Sequence, residues 1–297
     1  MNVGSWAAPL INPDNLLRVS PHVHAIADGG VPGVPNAGIV VGGRAALVID
    51  TGIGEPNGRA VLGVARKLAG DLPLRLVTTH VHPEHDLGAS AFPAGTVMIR
   101  SRPQVEEIAE TGLGVADDFR KRSTEYAELL AGARFREPDI VFDDVLVLDL
   151  GGVRVQLRAM GPNHTPGDTI ALVVDDGVVF SGDIAMRPPP SFASPHSSLR
   201  HWLTSLDELQ AMRPRIIVPS HGPFGGAELI EGYRRYLRDV RRLSRAAWQE
   251  GRSAEQAVAE IVPQLIDAQP DAVRIAGAVR VAYREAESAD EETGEHA

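Results

Sequence analysis

The sequence contains no cysteine among its 297 residues. This absence excludes disulfide bonds, a thiolate nucleophile and thiolate metal ligands. Any metal ion that the chain binds must therefore be held by nitrogen and oxygen atoms.

Aromatic residues are also scarce, at 5% of the chain, although 43% of the residues are hydrophobic. The core must therefore consist mainly of valine, leucine, isoleucine and alanine, which suits buried strands flanked by helices. No run reaches the ~18 apolar residues of a membrane span. Residues 1–10 lack the charged start and apolar stretch of a signal peptide. The sequence thus predicts a cytoplasmic protein with no membrane partner.

Positive charge is in deficit, since 29 lysines and arginines face 39 acidic residues and the formal net charge is -10. Affinity for nucleic acid comes mainly from clustered lysine and arginine. The balance therefore argues against a nucleic-acid partner and favours a small-molecule substrate. The oligomeric state stays open, with a homodimer among the alternatives.

The order of the predicted elements indicates one main domain. The sequence has no internal repeat and no low-complexity linker, and its predicted strands fall into two blocks separated by helices. Two blocks favour two sheets packed face to face over one doubly wound sheet. We predict an N-terminal extension over residues 1–16, a domain with C-terminal helices over residues 17–284, and an acidic disordered tail over residues 285–297.

Helical periodicity is clearest in residues 59–69, 198–212 and 227–250, where apolar side chains recur on one face. The opposite face of the third segment carries a stripe of arginines: Arg234, Arg235, Arg238, Arg241, Arg242 and Arg245. Such a stripe is typical of a solvated helix face. Ser253 and Gln256 then predict a capping box that opens a further helix.

The densest cluster of chemically active side chains directly follows a short predicted strand at residues 74–79. It contains His80, His82, Glu84 and His85 within six residues. Residues i and i+2 of an extended segment point the same way, so His80 and His82 can bind one ion. The turn that follows can carry Glu84 and His85 toward a second ion.

Three further candidate ligands follow later predicted strands. His164 lies in a loop rich in proline and glycine, Asp183 follows an apolar strand that ends at residue 182, and His221 follows the strand at residues 215–219. Loops carried by a rigid sheet are the places where binding groups are best positioned. We therefore predict that these side chains complete one metal centre.

These motifs, in this order, resemble the metallo-β-lactamase superfamily over about residues 17 to 225. The resemblance rests on the Asp50-Thr51-Gly52 strand end, the His-x-His-x-acid-His motif, the His-Thr-Pro-Gly loop of His164, Asp183 and Ser220-His221-Gly222. It implies an α/β fold, an αββα sandwich of two mixed sheets packed face to face with outer helices. The metal site would lie at one edge, between the sheets.

The resemblance also implies a ligand set for two zinc ions. His80, His82 and His164 would bind the first ion. The second would be bound by Glu84, His85 and His221, and Asp183 would bridge the two. A nitrogen and oxygen donor set makes zinc the expected metal, with iron and manganese as alternatives.

Glu84 departs from the resemblance, because the family usually has aspartate there. Glutamate reaches about one methylene further and has one more torsion to fix. Glu84 is therefore either a ligand with a shifted backbone or a group that acts mainly as a base or supports a ligand.

The chemistry of such a site is hydrolysis by a zinc-activated hydroxide, with no nucleophilic side chain required. Glu84 or Asp183 could accept the proton and are the predicted catalytic residues. Asp50 and Thr79 are candidates to orient the imidazoles by a hydrogen bond to the second ring nitrogen. Asp50 could equally be only a turn residue.

The predicted substrate is a small molecule with an ester, thioester, lactone or amide-type bond. One alternative is a phosphodiesterase or RNA-processing nuclease, and another is a mononuclear iron dioxygenase for sulfur compounds. A non-catalytic binding or biosynthetic protein is a further alternative. Candidate wall residues of the cleft are Arg187, Phe192, His196, His201 and Trp202, although Trp202 fits a buried helix face better.

Overall fold

Two mixed β-sheets form the centre of the computed structural model, which describes residues 8–293, with side chains as far as residue 288. The first sheet has seven strands in sequence order. They are β1 Leu16–Arg18, β2 Val23–Ile26, β3 Ala37–Val41, β4 Ala46–Ile49, β5 Leu74–Val77, β6 Val97–Ser101 and β7 Ile140–Phe142. Strands β1 to β4 pair antiparallel and β4 to β7 pair parallel.

The second sheet has five strands in the order β12-β11-β10-β9-β8. They are β8 Val145–Asp149, β9 Arg154–Ala159, β10 Thr169–Val173, β11 Val178–Gly182 and β12 Ile216–Pro219. Pairing is antiparallel except between β11 and β12, which run parallel. The carboxyl ends of β11 and β12 therefore meet at one edge of this sheet.

The helices cover the outer faces of both sheets. They are α1 Gly54–Ala69, α2 Pro83–Asp86, α3 Arg102–Thr111, α4 Gly114–Arg120, α5 Thr124–Leu129, α6 Leu199–Ala211, α7 Ala227–Gln249, α8 Ala254–Leu265 and α9 Ala272–Thr293. Ser253 and Gln256 form the predicted capping box at the start of α8. Within the part of the chain that the structure describes, no helix is long and apolar enough to cross a membrane.

Three apolar clusters show how these layers pack. The inner faces of the two sheets meet in one cluster that includes Leu47 and Phe180. The outer face of the first sheet packs on α1, and that of the second sheet packs on the helices after β11, with Trp202 fully buried there. This is the αββα sandwich of two mixed sheets that the sequence predicts.

The C-terminal segment differs from its prediction. We expected a disordered tail from residue 285, but α9 continues to Thr293. Alanine and glutamate are good helix formers, and the Glu285 carboxylate accepts a hydrogen bond from Ser198 Oγ at 2.7 Å. Residues 294–297 lie outside the described residues.

At the other end of the chain, the predicted extension over residues 1–16 falls partly on residues 1–7, which are not described. Its later part is held against the domain. Ile11 is buried, and its backbone N–H donates to Asn57 Oδ1 at 2.7 Å.

Candidate metal centre

The loop that carries the first four candidate ligands begins where β5 ends. Asp50, at the end of the neighbouring parallel strand β4, accepts hydrogen bonds from the Thr79 N–H at 2.7 Å and from Thr79 Oγ1 at 2.9 Å. Thr51 donates from both its N–H and its Oγ1 to the His85 carbonyl at 2.9 Å. The strand end of residues 50–52 thus fixes both ends of this loop.

All seven predicted ligands come together in one cluster at this edge. Three sets of ligand atoms each lie within 4.8 Å of one another: His80 with His82 and His164, His80 with His85 and Asp183, and Glu84 with His85 and His221. The ring centroids of His80 and His85 are 4.1 Å apart. Residues from the ends of β5, β11 and β12, and from the loop between β9 and β10, therefore form one site between the two sheets.

Four of the atoms that face the interior of this cluster lack hydrogen-bond partners. His80 Nε2, Glu84 Oε2, His85 Nε2 and Asp183 Oδ1 are all buried and unpaired. A buried polar atom without a partner costs free energy, so such atoms need an explanation. A cation among them supplies one, and the nitrogen and oxygen donor set fits a borderline metal such as zinc. The residues present thus fit a bound metal.

The second ring nitrogen of four imidazoles is occupied by a hydrogen-bond partner. His85 Nδ1 lies 2.9 Å from Asp50 Oδ2, His164 Nδ1 lies 2.5 Å from the Ser191 carbonyl, and His221 Nδ1 lies 2.9 Å from the Val34 carbonyl. His80 Nδ1 is 3.2 Å from Thr79 Oγ1. Because a carbonyl only accepts, His164 and His221 carry a proton on Nδ1, which turns their Nε2 toward the centre.

His82 is oriented in the opposite way. Its Nδ1 lies 3.2 Å from His164 Nε2. Two ring nitrogens attract each other only when a proton or a cation lies between them. A metal ion bound by both of them satisfies this geometry.

The pKa values of the clustered side chains are shifted in different directions. Burial and the neighbouring imidazoles hold the pKa values of His80 and His82 well below the ordinary value. Burial also opposes protonation of His85, but the Asp50 carboxylate outweighs it and raises the pKa of His85 to about 9. Burial would raise the pKa of Asp183, yet the surrounding histidines lower it to about 2. Asp183 is therefore ionised throughout the physiological range.

Two buried carboxylates that are not among the predicted ligands lie beside them. Asp168 accepts a hydrogen bond from the His164 N–H at 2.7 Å, and burial raises the pKa of Asp168 to about 7. Its position four residues after His164 was the available signal. Asp86 follows His85 directly and forms a fully buried ion pair with Arg100 of β6. Strand β6 offers no sequence signal for this pair.

The five residues predicted to line the wall of the cleft lie in different surroundings. The Trp202 indole is buried and donates to the Ile184 carbonyl at 3.0 Å, and the Phe192 ring lies 4.9 Å from it. His201 contacts the Met160 carbonyl, His196 contacts Glu110 at the surface, and Arg187 reaches the Glu228 carbonyl. The burial of Trp202 agrees with its predicted place on a buried helix face.

Comparison with known sequences identifies relatives for this chain. A family model described as the metallo-beta-lactamase superfamily matches residues 30–221, which is more than half of the chain. A linear primary-alkylsulfatase of Pseudomonas sp. is 26% identical over 227 residues, covering 65% of this chain and 43% of the relative. The acyl-coenzyme A thioesterase MBLAC2 of Bos taurus is 26% identical over 214 residues, covering 66% of this chain and 75% of the relative. Both names denote hydrolases, which supports the predicted enzyme class.

Solved structures show the same architecture. The sec-alkylsulfatase Pisa1 from Pseudomonas sp. matches with a TM-score of 0.71 at 15% identity, over 91% of this chain and 50% of that one. A beta-lactamase domain protein from Burkholderia ambifaria matches with a TM-score of 0.70 at 22% identity, over 97% of this chain and 93% of that one. The chain thus spans half or less of the length of the two alkylsulfatases. Together, the family model and the fold show that this chain belongs to the metallo-beta-lactamase superfamily.

Proposed function

We propose that this chain is a metal-dependent hydrolase that acts on a small-molecule ester, thioester, lactone or amide-type bond. The observation that carries the proposal is the convergence of unpaired, buried donor atoms from His80, Glu84, His85 and Asp183. No packing role accounts for several such atoms facing one another, because each would lose its hydrogen bonds to water without compensation.

In this proposal His80, His82 and His164 would hold the first zinc ion, Glu84, His85 and His221 would hold the second, and Asp183 would complete the donor set. The ions, when bound, lower the pKa of water enough to supply hydroxide near neutral pH and polarise the substrate. The low pKa of Asp183 suits a permanent ligand. A carboxylate whose pKa is held at about 2 is a weak base, so Asp183 is the poorer proton acceptor and Glu84 is the proposed one.

A sulfate ester is the second candidate substrate. Relatives named as alkylsulfatases are found both by sequence and by structure, whereas the relative named as an acyl-coenzyme A thioesterase supports an acyl substrate. We favour the acyl bond because the thioesterase match covers 75% of that relative and the sulfatase match only 43%.

The nuclease and dioxygenase alternatives have less support. A net charge of -10 disfavours binding to a polyanionic backbone. The dioxygenase alternative needs iron, and the donor set accepts iron as well as zinc. Metal content therefore decides between hydrolysis and oxygenation.

The test combines metal analysis with an activity panel on the purified, metal-loaded protein. The panel holds an acyl-coenzyme A, a lactone, a β-lactam, a carboxylic ester, an alkyl sulfate and a phosphodiester. We expect zinc, turnover of an acyl-type substrate, and loss of both in His82→Ala and Asp183→Ala. His22→Ala removes an imidazole outside the cluster and should keep its metal. Full turnover by both ligand variants, or iron with oxygen consumption, would overturn the proposal.

A further inference from the structure

The loop of residues 184–198, which lies between β11 and α6, encloses one of the predicted metal ligands. Its Ser191 carbonyl lies 2.5 Å from His164 Nδ1 and orients that ring. The Ala193 N–H and the Ser197 hydroxyl both donate to the His164 carbonyl at 3.0 Å. The 184–198 loop therefore holds the backbone of His164 as well as its ring.

The 184–198 loop has no secondary structure that would fix its own path. No helix or strand occurs within these residues. Pro188, Pro189 and Pro190 lie in its first half and have no backbone N–H to donate. The path of such a loop depends on contacts that other parts of the chain make to its carbonyls and side chains.

Two side chains from the C-terminal helices make such contacts, and both reach the same carbonyl. Gln269, between α8 and α9, donates from Nε2 to the Pro189 carbonyl at 2.6 Å. Arg274, in the first turn of α9, donates from Nη1 to the Pro189 carbonyl at 3.1 Å. Pro189 precedes Ser191 by two residues, which span at most about 7 Å of chain. The carbonyl that is held thus lies close to the carbonyl that orients His164.

The Gln269 side chain is fully buried, although it is polar. Its Oε1 atom has no hydrogen-bond partner among the described residues. A buried amide with an unpaired oxygen costs free energy, and an apolar side chain of the same length would fill the space without that cost. The contact with Pro189, and not packing, therefore accounts for an amide at this position.

Arg274 contributes the second donor from a less buried position. Its side chain is half-buried and also pairs with Asp271 at 3.3 Å. Both donors lie beyond residue 221, where the match to the family model ends. This chain of hydrogen bonds thus connects the C-terminal helices to a ligand inside the matched region.

We propose that Gln269, together with Arg274, acts as a positioning residue for the metal ligand His164. The inference rests on the proposed function, because it assigns both side chains a role in metal binding. By holding the Pro189 carbonyl, they keep the Ser191 carbonyl where it orients the His164 ring and turns Nε2 toward the centre. Without these contacts the 184–198 loop gains freedom, and the ring loses its fixed orientation.

The first test measures the zinc affinity of Gln269→Met, which keeps the length of the side chain and removes its donor. Competition with a chelator of known zinc affinity should show about 10-fold to 100-fold weaker binding of one zinc ion, as for other groups that orient metal ligands. The matched control is Gln264→Met, because Gln264 on the exposed side of α8 donates to the Glu260 carbonyl at 2.9 Å. This control should bind zinc as the wild type does. Equal zinc affinity in wild type and Gln269→Met would overturn the inference.

The second test observes the histidine rings by NMR in the metal-free protein, with nitrogen-15 in the histidine side chains. We expect the His164 Nδ1 proton to exchange with solvent about 10-fold faster in Gln269→Met, as for the loss of one hydrogen bond. His221 is the internal control, since its Nδ1 is held by the Val34 carbonyl at 2.9 Å in another loop. Its exchange rate should not change. A general loosening of the fold would instead accelerate both protons.

Two results of the NMR test would overturn the inference: an unchanged rate at His164, or an equal increase at His164 and His221. Arg274→Met removes the second donor and should accelerate exchange at His164 in the same way. If Gln269→Met does not fold, an unchanged His164 rate in Arg274→Met overturns the inference. If the wild-type protein binds no zinc and turns over no substrate, the proposed function fails. The NMR measurement then still decides whether these two side chains position His164.

Discussion

The buried ion pair between Asp86 and Arg100 sits directly behind the metal ligands, and breaking it should affect both stability and metal affinity. Both side chains are fully buried. Arg100 contacts both carboxylate oxygens of Asp86, with Nη2 donating to Oδ1 at 2.9 Å, and Nη2 also donates to the Arg136 carbonyl at 3.1 Å. Thr78 Oγ1 donates to Asp86 Oδ2 at 2.7 Å. Every oxygen of this carboxylate is thus committed.

Arg100→Met leaves the Asp86 charge buried without its partner. Removing one member of a buried pair costs ~3–5 kcal/mol, because the remaining charge stays desolvated. A whole domain is stable by only about 5–15 kcal/mol, so the loss is a large share of the total. Since Asp86 directly follows His85, we also expect the metal affinity to fall about 10-fold to 100-fold, as for other groups that orient metal ligands.

The assay is urea unfolding of wild type and variant, once with metal and once with a chelator, together with a metal titration. Arg102→Met is the control, since the nearby Arg102–Asp143 pair is solvent-exposed and should contribute far less. The double variant Asp86→Leu/Arg100→Met removes both charges and should recover part of the loss. A loss of less than about 1 kcal/mol in Arg100→Met, or a double variant whose loss is the sum of the two single ones, would refute the reasoning.

Two further predictions concern the ligands themselves. If Glu84 binds the second ion, Glu84→Asp should keep part of the two-metal content and Glu84→Gln should lose it; unchanged metal content in Glu84→Gln, by elemental analysis, would contradict the ligand role. The pKa of His85 is about 9, so at pH 7 metal binding must displace a proton from it, and metal affinity should rise with pH up to about 9. Asp50→Asn should reduce the number of protons released on metal binding, because the Asp50 carboxylate is what raises the pKa of His85. Calorimetry of metal binding in two buffers of different ionisation enthalpy measures this number. Equal proton release in wild type and Asp50→Asn would contradict this role of Asp50.

The raised pKa of His85 also affects the metal-free protein. Because the folded value of about 9 lies above the ordinary 6.5, protonation of His85 contributes stability that is fully present below pH 6.5. This contribution is lost as the pH rises through 9. Metal affinity and metal-free stability therefore change in opposite directions with pH through this residue.

Local pattern was enough to predict which side chains come together and how the layers are ordered. Ligand residues follow strands, and strands end at sheet edges, so a short motif and three later strand ends specify one cluster. The predicted helix at residues 59–69 instead begins at Gly54. Its first turn lacks apolar periodicity and is held by tertiary contacts, since Asn57 donates to the Pro9 carbonyl at 2.9 Å. Contacts with residues far away in the sequence determine where such a helix begins, and the pattern of neighbouring residues carries no information about those contacts.

The orientation of the ligands could not be predicted for a related reason. His164 and His221 are fixed through carbonyls of Ser191 and Val34, which are 27 and 187 residues away in the chain. Every residue has a carbonyl, so no side-chain type marks these partners. The motif therefore specifies which side chains cluster, whereas the paths of two loops specify how the imidazoles of His164 and His221 are oriented. It follows that side-chain substitutions at Ser191 or Val34 that preserve the backbone should leave the site intact. Shortening the loop that contains Ser191 should disorder the His164 imidazole, and shortening the loop that contains Val34 should disorder the His221 imidazole, although neither histidine is changed.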